Sequence, residues 1–211
     1  MSHINFLFIN GKGSSGKDTQ ADILLKNLGD KAIKLSTGDI YRDAKTGTGE
    51  YGRYYSDFAP FIDHVEKQGG YFPDDVMINV VGQIISEKMA EGYENFIFTG
   101  FPRTIGQMEL MDELVSHLEN ASSVHLYFDI SDETSKSRAE YRRRLAETNN
   151  VPIRQDDEKC VVEKRLNSFK TLTLPMLNKL ENQNRLIKIK AEGTIQDIEK
   201  ETSILVSKER I

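Results

Sequence analysis

The sequence predicts an α/β fold in which a mostly parallel sheet lies between layers of helices. Three observations point there: five short apolar runs that read as buried strands, amphipathic stretches between them, and a glycine-rich turn directly after the first run. Parallel strands covered on both faces show continuous apolar runs, and strand–helix alternation is how such a sheet is connected.

The strands are predicted over residues 4–9, 32–35, 96–98, 124–130 and 186–189. A helix over 17–28 follows the glycine-rich turn. A second, over 74–90, comes after Pro73, opens with Asp74 and Asp75, and places Val76, Val80 and Ile84 on one stripe with Met77, Val81 and Ile85 beside it. Gly92 is its natural end. Further helices are predicted over 104–117, 131–146, 156–182 with a kink near Pro175, and 194–208. Residues 45–70 and 147–153 break the rhythm and read as insertions into one core rather than as separate domains. Within the first, Phe58, Phe61, Ile62 and Val65 form a helically spaced apolar stripe, which predicts packing, with stacking on a ligand ring as the alternative reading.

The chain has 211 residues, with 28 Lys and Arg against 33 Asp and Glu, a net charge of −5. That balance argues against a broad nucleic-acid or anionic-lipid surface and requires any anionic ligand to sit in a local basic pocket. Cys160 is the single cysteine and the four histidines are scattered, so no cysteine-rich zinc cluster is expected. No apolar run approaches the roughly 20 residues of a membrane span, and residues 4–9 lack the flanks of a signal peptide. A cytoplasmic protein is the expectation.

The glycine-rich turn reads Gly11-Lys12-Gly13-Ser14-Ser15-Gly16-Lys17-Asp18-Thr19. Between a strand and a helix, such a turn lets backbone N–H groups converge on phosphate oxygens at a helix N-terminus, while Lys17 supplies a mobile positive charge. The pattern asks for Ser or Thr directly after the lysine to meet Mg²⁺. Here Asp18 stands there, and the hydroxyl comes at Thr19.

Three further segments, taken with that loop, resemble the adenylate kinase family of nucleoside monophosphate kinases over nearly the whole chain. They are Ser36-Thr37-Gly38-Asp39-Ile40-Tyr41-Arg42, Gly100-Phe101-Pro102-Arg103-Thr104-Ile105-Gly106-Gln107, and Arg154-Gln155-Asp156-Asp157 followed by Lys164-Arg165-Leu166. The resemblance implies a three-layer P-loop kinase fold with a five-stranded parallel sheet, one domain over residues 1–211. It also implies a monophosphate-binding insertion at 36–73 and a short lid at 132–155, without the cysteines that hold zinc in longer lids. Gly69-Gly70 and residues 147–150 are the expected flexible places.

It implies roles as well. Lys17, Arg103, Arg142, Arg154 and Arg165 correspond to the catalytic cations. Gly11, Gly13, Ser14, Ser15, Gly16, Asp18, Thr19, Arg138 and Ile195 join Lys17 and Arg142 around ATP. Thr37, Gly38, Arg42, Phe72, Gly100 and Gln107 join Arg103, Arg154 and Arg165 around the acceptor. Thr37 and Gln107 match positions that read the acceptor base, and a glutamine can offer adenine both a donor and an acceptor. Taken singly, each arginine reads as a surface charge; their common registration with the motifs sets them apart. The implied reaction converts ATP and AMP into two ADP, with Mg²⁺ accompanying ATP, in a monomer with no nucleic-acid or membrane partner. A kinase for UMP or CMP, and a weakly active or non-catalytic nucleotide-binding regulator, stay open.

The family normally carries Asp before Gly-Phe-Pro-Arg, near the metal; this chain has Thr99, and keeps the other acid, Asp39. Asp18 and Thr99 are therefore a candidate paired exchange, an acid moved from strand end to loop. The opposing reading makes Asp18 an acid favourable to the helix N-terminus and turned from the phosphates.

Overall fold

The computed structural model describes residues 3–68, 70–154 and 157–208, so Gly69, Gln155 and Asp156 lie outside the described residues. Five strands, β1 (Ile4–Gly11), β2 (Ala32–Ser36), β3 (Asn95–Thr99), β4 (Ala121–Asp129) and β5 (Leu186–Lys190), form one sheet in the order β2-β3-β1-β4-β5. Every pairing is parallel. The α/β class and the parallel five-stranded sheet are those the sequence predicts.

Alternation along β1 sends Phe6 and Phe8 to one face and Leu7 and Ile9 to the other. The register sets Phe6 against Phe96 and Phe8 against Phe98, with ring centroids 5.3 and 5.4 Å apart. Burial of each ring contributes about 1.5–3 kcal/mol, and each stacked pair adds roughly 0.5–1.5 kcal/mol. Helices α4 (Asp74–Ala90) and α5 (Ile105–Ser116) cover this face through Val80, Ile84 and Met111. On the other face α1 (Lys17–Leu28) and the last helix, Ile195–Lys208, bring Ala21, Leu24, Ile198 and Val206 onto Leu7, Ile9, Ile97 and Leu126.

Three expectations change in detail. β4 starts at Ala121 rather than 124 because its polar first residues are satisfied sideways: the Ser122 hydroxyl donates to Asn5 Oδ1 at 3.0 Å, and Asn5 Nδ2 donates to Asn95 Oδ1 at 2.8 Å. The helix predicted over 156–182 is divided into α7 (Lys159–Ser168), a π turn at Phe169–Thr173, and α8 (Leu174–Asn182). Pro175 lacks an N–H and its ring crowds the carbonyl four residues back, and the wider turn just before it accommodates both. The stretch read as least regular, 45–70, is largely helical: α2 (Thr37–Thr46) enters it, and a short 3₁₀ turn (Gly52–Tyr54) leads into α3 (Tyr55–Gln68). Pro60 inside α3 costs about 3 kcal/mol of helix stability. Burial of Tyr51, Tyr54 and Phe58, with Phe61, Ile62 and Val65 packed alongside, offsets that cost, in line with the apolar stripe.

The remaining helix is α6 (Asp132–Thr148), and the last helix is α9 (Ile195–Lys208). The chain leaves β1 toward β2 and leaves β4 toward β5, on opposite sides of the sheet. Their carboxyl ends therefore open a crevice where the connections diverge, the usual ligand position of open parallel sheets. Among the described residues, no helix is long and apolar enough to cross a membrane.

Candidate active site

β1 delivers the chain to the glycine-rich loop in that crevice. A Cβ on Gly11 would lie 2.5 Å from Ser15 Oγ and 2.8 Å from the Phe128 carbonyl oxygen, so only glycine passes between loop and β4. Gly16 takes φ 85°, a left-handed conformation open to glycine, and α1 begins directly after it with no side-chain cap. By contrast α2, α5 and α6 begin behind Ser36, Thr104 and Ser131, whose hydroxyls accept N–H groups of the first turn. The first amides of α1 are thus left for an anion in the loop.

The loop is held from α6. Residues 135, 138 and 142 share one helical face, and all three reach it. The Ser135 hydroxyl donates to the Gly13 carbonyl at 2.7 Å. Arg138 makes long hydrogen bonds to the carbonyls of Ser14 (3.4 Å), Glu192 (3.4 Å) and Gly193 (3.5 Å), which joins the loop to the approach of α9. Arg142 donates to Ser14 Oγ at 3.1 Å and grips both carboxylate oxygens of the buried Asp157. From α1, the buried Gln20 donates to the Ile195 carbonyl at 3.0 Å. Lys12 faces away from the loop interior, donating to the Ile130 carbonyl at 2.7 Å and pairing with Asp132 at 2.8 Å.

Lys17 is the buried cation of the loop, 11% exposed, with Asp18 Oδ2 at 3.5 Å. Burial pushes its ammonium below the usual lysine range; Arg165 and Arg103 push the same way, and Asp18 opposes them. Arg165, on α7, lines the small cleft shared by Gly13, Ser14, Ser135 and Arg142. Lys17, Arg103, Arg142 and Arg165 are therefore brought together around the loop. Arg154, also predicted for this group, stands exposed in the segment after α6.

On the acceptor side the Thr37 hydroxyl donates to the Gly100 carbonyl at 3.0 Å and accepts from Arg103 Nη2 at 2.8 Å. Arg103 Nε donates to the same carbonyl at 2.5 Å. Gln107 is buried, and its carboxamide oxygen accepts the Arg103 backbone N–H at 2.9 Å. That bond occupies the carbonyl end of the amide and leaves its NH₂ as the donor end. Arg42 is half-exposed and paired with Asp39, one turn away, and its Nη1 lies 3.3 Å from where a Cβ on Gly38 would be. Phe72 is buried between Phe58 and Tyr41, with ring centroids at 4.5 and 5.6 Å.

Among the three residues predicted near the metal, Asp18 and Thr99 lie together while Asp39 is held by Arg42. Burial would raise the Asp18 carboxyl, but Lys17, the Thr99 hydroxyl and Lys34 outweigh it and hold it below the usual carboxylate range. Thr99 is buried, and its hydroxyl closes no hydrogen bond of normal geometry among the described residues; the same is true of Ser15 in the loop. Two orphaned hydroxyls and an ionised carboxylate suit the hydrated shell of a magnesium ion, which keeps several waters. Among the described residues no three His, Cys, Asp or Glu side chains converge as a metal site.

Two contributors escaped the sequence reading. Ser135 was findable, since it precedes Arg138 and Arg142 by three and seven residues. Tyr71, whose ring lies under the Arg103 guanidinium at 5.0 Å, carried no signal beyond its place before Phe72.

Comparison with known proteins agrees with this geometry. The chain matches the family model for adenylate kinase over residues 9–185. It is similar to adenylate kinase isoenzyme 1 of Caenorhabditis elegans, 30% identical over 92% of this chain and 84% of that protein. It is also similar to the adenylate kinase of Parabacteroides distasonis, 31% identical over 89% and 90%. The uridylate kinase of Saccharomyces cerevisiae is 25% identical over 94% of this chain and 88% of that protein. With these likenesses spanning the loop, the strand ends and the arginine-bearing helices, the chain belongs to the adenylate kinase family.

Proposed function

We propose that this protein is a nucleoside monophosphate kinase that moves the terminal phosphoryl group of ATP to AMP, giving two ADP. The observation that carries this reading is the convergence of Lys17, Arg103, Arg142 and Arg165 on the glycine-rich loop, where burial and the two arginines Arg165 and Arg103 act on Lys17 against the pull of Asp18. Phosphoryl transfer needs little beyond alignment and neutralisation of charge on the transferred oxygens, and convergent cations supply both.

In this reading an oxygen of the AMP phosphate attacks the γ-phosphorus, the bond from that phosphorus to the β–γ bridging oxygen breaks, and its electron pair stays on the β-phosphate. The loop amides and Lys17 hold the β- and γ-phosphates, with Ser14, Ser15 and Thr19 around them. Arg142 and Arg165 stabilise the charge as it shifts. Arg103, held by Thr37 and Gly100, orients the acceptor phosphate with Arg42, and Gln107 donates to the base. Arg138, Gly193 and Ile195 form the wall beside the donor base. Asp18 and Thr99, with Asp39 as the third candidate, would hold the hydrated magnesium that accompanies ATP, which would supply further charge neutralisation. Residues 36–73 serve as the acceptor-binding insertion and 132–155 as a short lid carrying Arg154 inward, so that closure excludes water.

The test is an assay with ATP, Mg²⁺ and each of AMP, GMP, CMP and UMP. ADP formation fastest with AMP is expected. A higher rate with UMP or CMP would move the acceptor assignment toward the uridylate kinase likeness, and ATP binding without transfer to any monophosphate would overturn the reading.

A further inference from the structure

Tyr71 lies in the short passage between α3 and α4, beside the acceptor wall, and makes two contacts of different kinds. Its ring carries the Arg103 guanidinium at 5.0 Å from the centroid. Its hydroxyl is 3.0 Å from Thr173 Oγ1. Thr173 is buried and closes the π turn that joins α7, which bears Arg165, to α8. A single side chain thus links the acceptor wall to the helical unit that carries a second phosphate-directed arginine.

Arg103 has two polar anchors already, the Gly100 carbonyl and the Thr37 hydroxyl. Both lie at the edge of the guanidinium plane and fix its distance from β3, but neither stops the plane from tipping about that edge. An aromatic face adds an attraction from a third direction, because the positive group is drawn to the electron-rich ring face. The ring would itself be free to rotate at the end of a loop. The Thr173 bond ties its far end to a buried residue and removes that freedom.

We propose, on the phosphotransferase reading above, that Tyr71 is a positioning residue: its ring sets the plane of Arg103 toward the acceptor phosphate, and its hydroxyl, tied to Thr173, sets the ring. The proposal distinguishes ring from hydroxyl, so the variants separate them. Tyr71→Leu keeps apolar bulk and removes both functions. Tyr71→Phe keeps the ring and removes the tie, and Thr173→Val removes the same tie from the other side with little change of shape.

The experiment measures kcat and KM for AMP and for ATP in all three variants and in the Tyr71→Phe/Thr173→Val double variant. AMP binding by calorimetry and thermal unfolding are followed in parallel. A fall of about 10-fold in kcat/KM for AMP is expected for Tyr71→Leu, with KM for ATP within twofold of the parent and unfolding unchanged within a few degrees. Tyr71→Phe should recover most of that loss. Thr173→Val should match it, and the double variant should be no worse than either single, since both delete one bond. Equal losses for AMP and ATP, or a Tyr71→Leu variant indistinguishable from the parent, would overturn the proposal. So would a Phe variant as impaired as the Leu one. If the parent itself transfers no phosphoryl group, the phosphotransferase reading fails separately, and the calorimetric comparison still tests whether Tyr71 governs monophosphate binding through Arg103.

Discussion

Arg142 and Arg42 both sit on helices beside the crevice, and the structure treats them in opposite ways. Arg142 is anchored in the structure itself, with Nε and Nη2 donating to the two carboxylate oxygens of Asp157 and Nη2 shared with Ser14 Oγ. Arg42 is half-exposed and, among the described residues, paired with Asp39 on its own helix, an ion pair of small worth in water. The same contrast runs through the two sides of the site. The donor side is a woven unit of loop, α6 and α9 approach, while on the acceptor side only Thr37, Arg103 and Gln107 are fixed. On the function proposed above, the difference means that cations at the donor end are held in advance while acceptor recognition is completed on binding.

The most severe way to break that contrast is to remove a cation of the cleft beside the loop. Arg165→Ala should lower turnover by roughly 10³- to 10⁵-fold, the range associated with arginines that stabilise phosphoryl-transfer charge. KM for either nucleotide should move far less. A folded Arg165→Ala protein with near-parental kcat would place the chemistry elsewhere.

Both sides rest on β1 and β4, and the next prediction concerns that shared frame. His125 of β4 is buried against Phe8, ring centroids 4.8 Å apart, and neither ring nitrogen has a partner among the described residues. Burial, aided by Arg185 and opposed by Asp112, pushes its pKa down to about 4. Unfolding restores a value near 6.5, so the unfolded chain binds more protons throughout the interval between the two. Stability is therefore full above about pH 6.5 and is lost as the pH falls toward 4, by about 3 kcal/mol in all. Urea unfolding followed across that interval checks it. His125→Phe should flatten the profile while the pH dependence of donor and acceptor KM stays that of the parent, and an unchanged profile in the variant would assign the acid lability to other groups.

Arg42→Ala sharpens the comparison itself. If Arg42 leaves Asp39 for the acceptor phosphate, its loss removes one charge-assisted hydrogen-bonding partner, about 1.5–3 kcal/mol, or roughly 10- to 100-fold in KM for AMP. KM for ATP should be unaffected. Equal damage to both nucleotides would mean that the acceptor side is as tightly coupled as the donor side.

These contrasts explain how much the sequence disclosed. The sheet was legible because buried parallel strands leave apolar runs, and the loop was legible because its glycines are forced by contacts such as Gly11 against Ser15 and Phe128. The helices of 45–70 were half legible: Phe58, Phe61, Ile62 and Val65 keep a helical spacing, but Tyr, Gly and Pro60 lower local helix preference, and burial of Tyr54 and Phe58 overrides it only in three dimensions. Residue types at the site were likewise legible where they lie within one motif. Their pairings were not, because Arg142 with Asp157, Gln20 with Ile195 and Tyr71 with Thr173 are contacts between separate elements. Gln107 illustrates the limit: its identity suggests an amide with two free ends, and only the fold commits one end to Arg103.

The smallest effect expected is at Asp18, and it decides between two physical roles. The carboxylate stands at the open end of α1, beside Lys17 and the orphaned Thr99 hydroxyl, where an acid repels a triphosphate unless a cation lies between them. If it faces the hydrated magnesium, Asp18→Gly removes an attraction worth about 1 kcal/mol across a water layer. Half-saturating Mg²⁺ then rises about fivefold, in turnover and equally in calorimetric titration of Mg²⁺ into the ATP-loaded protein. If instead Asp18 only favours the helix N-terminus, its loss removes repulsion: ATP should bind more tightly in the absence of Mg²⁺, and the metal dependence should not change. The two roles predict opposite signs for ATP affinity measured with the metal, weaker if the acid meets magnesium and tighter if it only repels, so the titrations separate an exchanged acid from a bystander even though each shift is small.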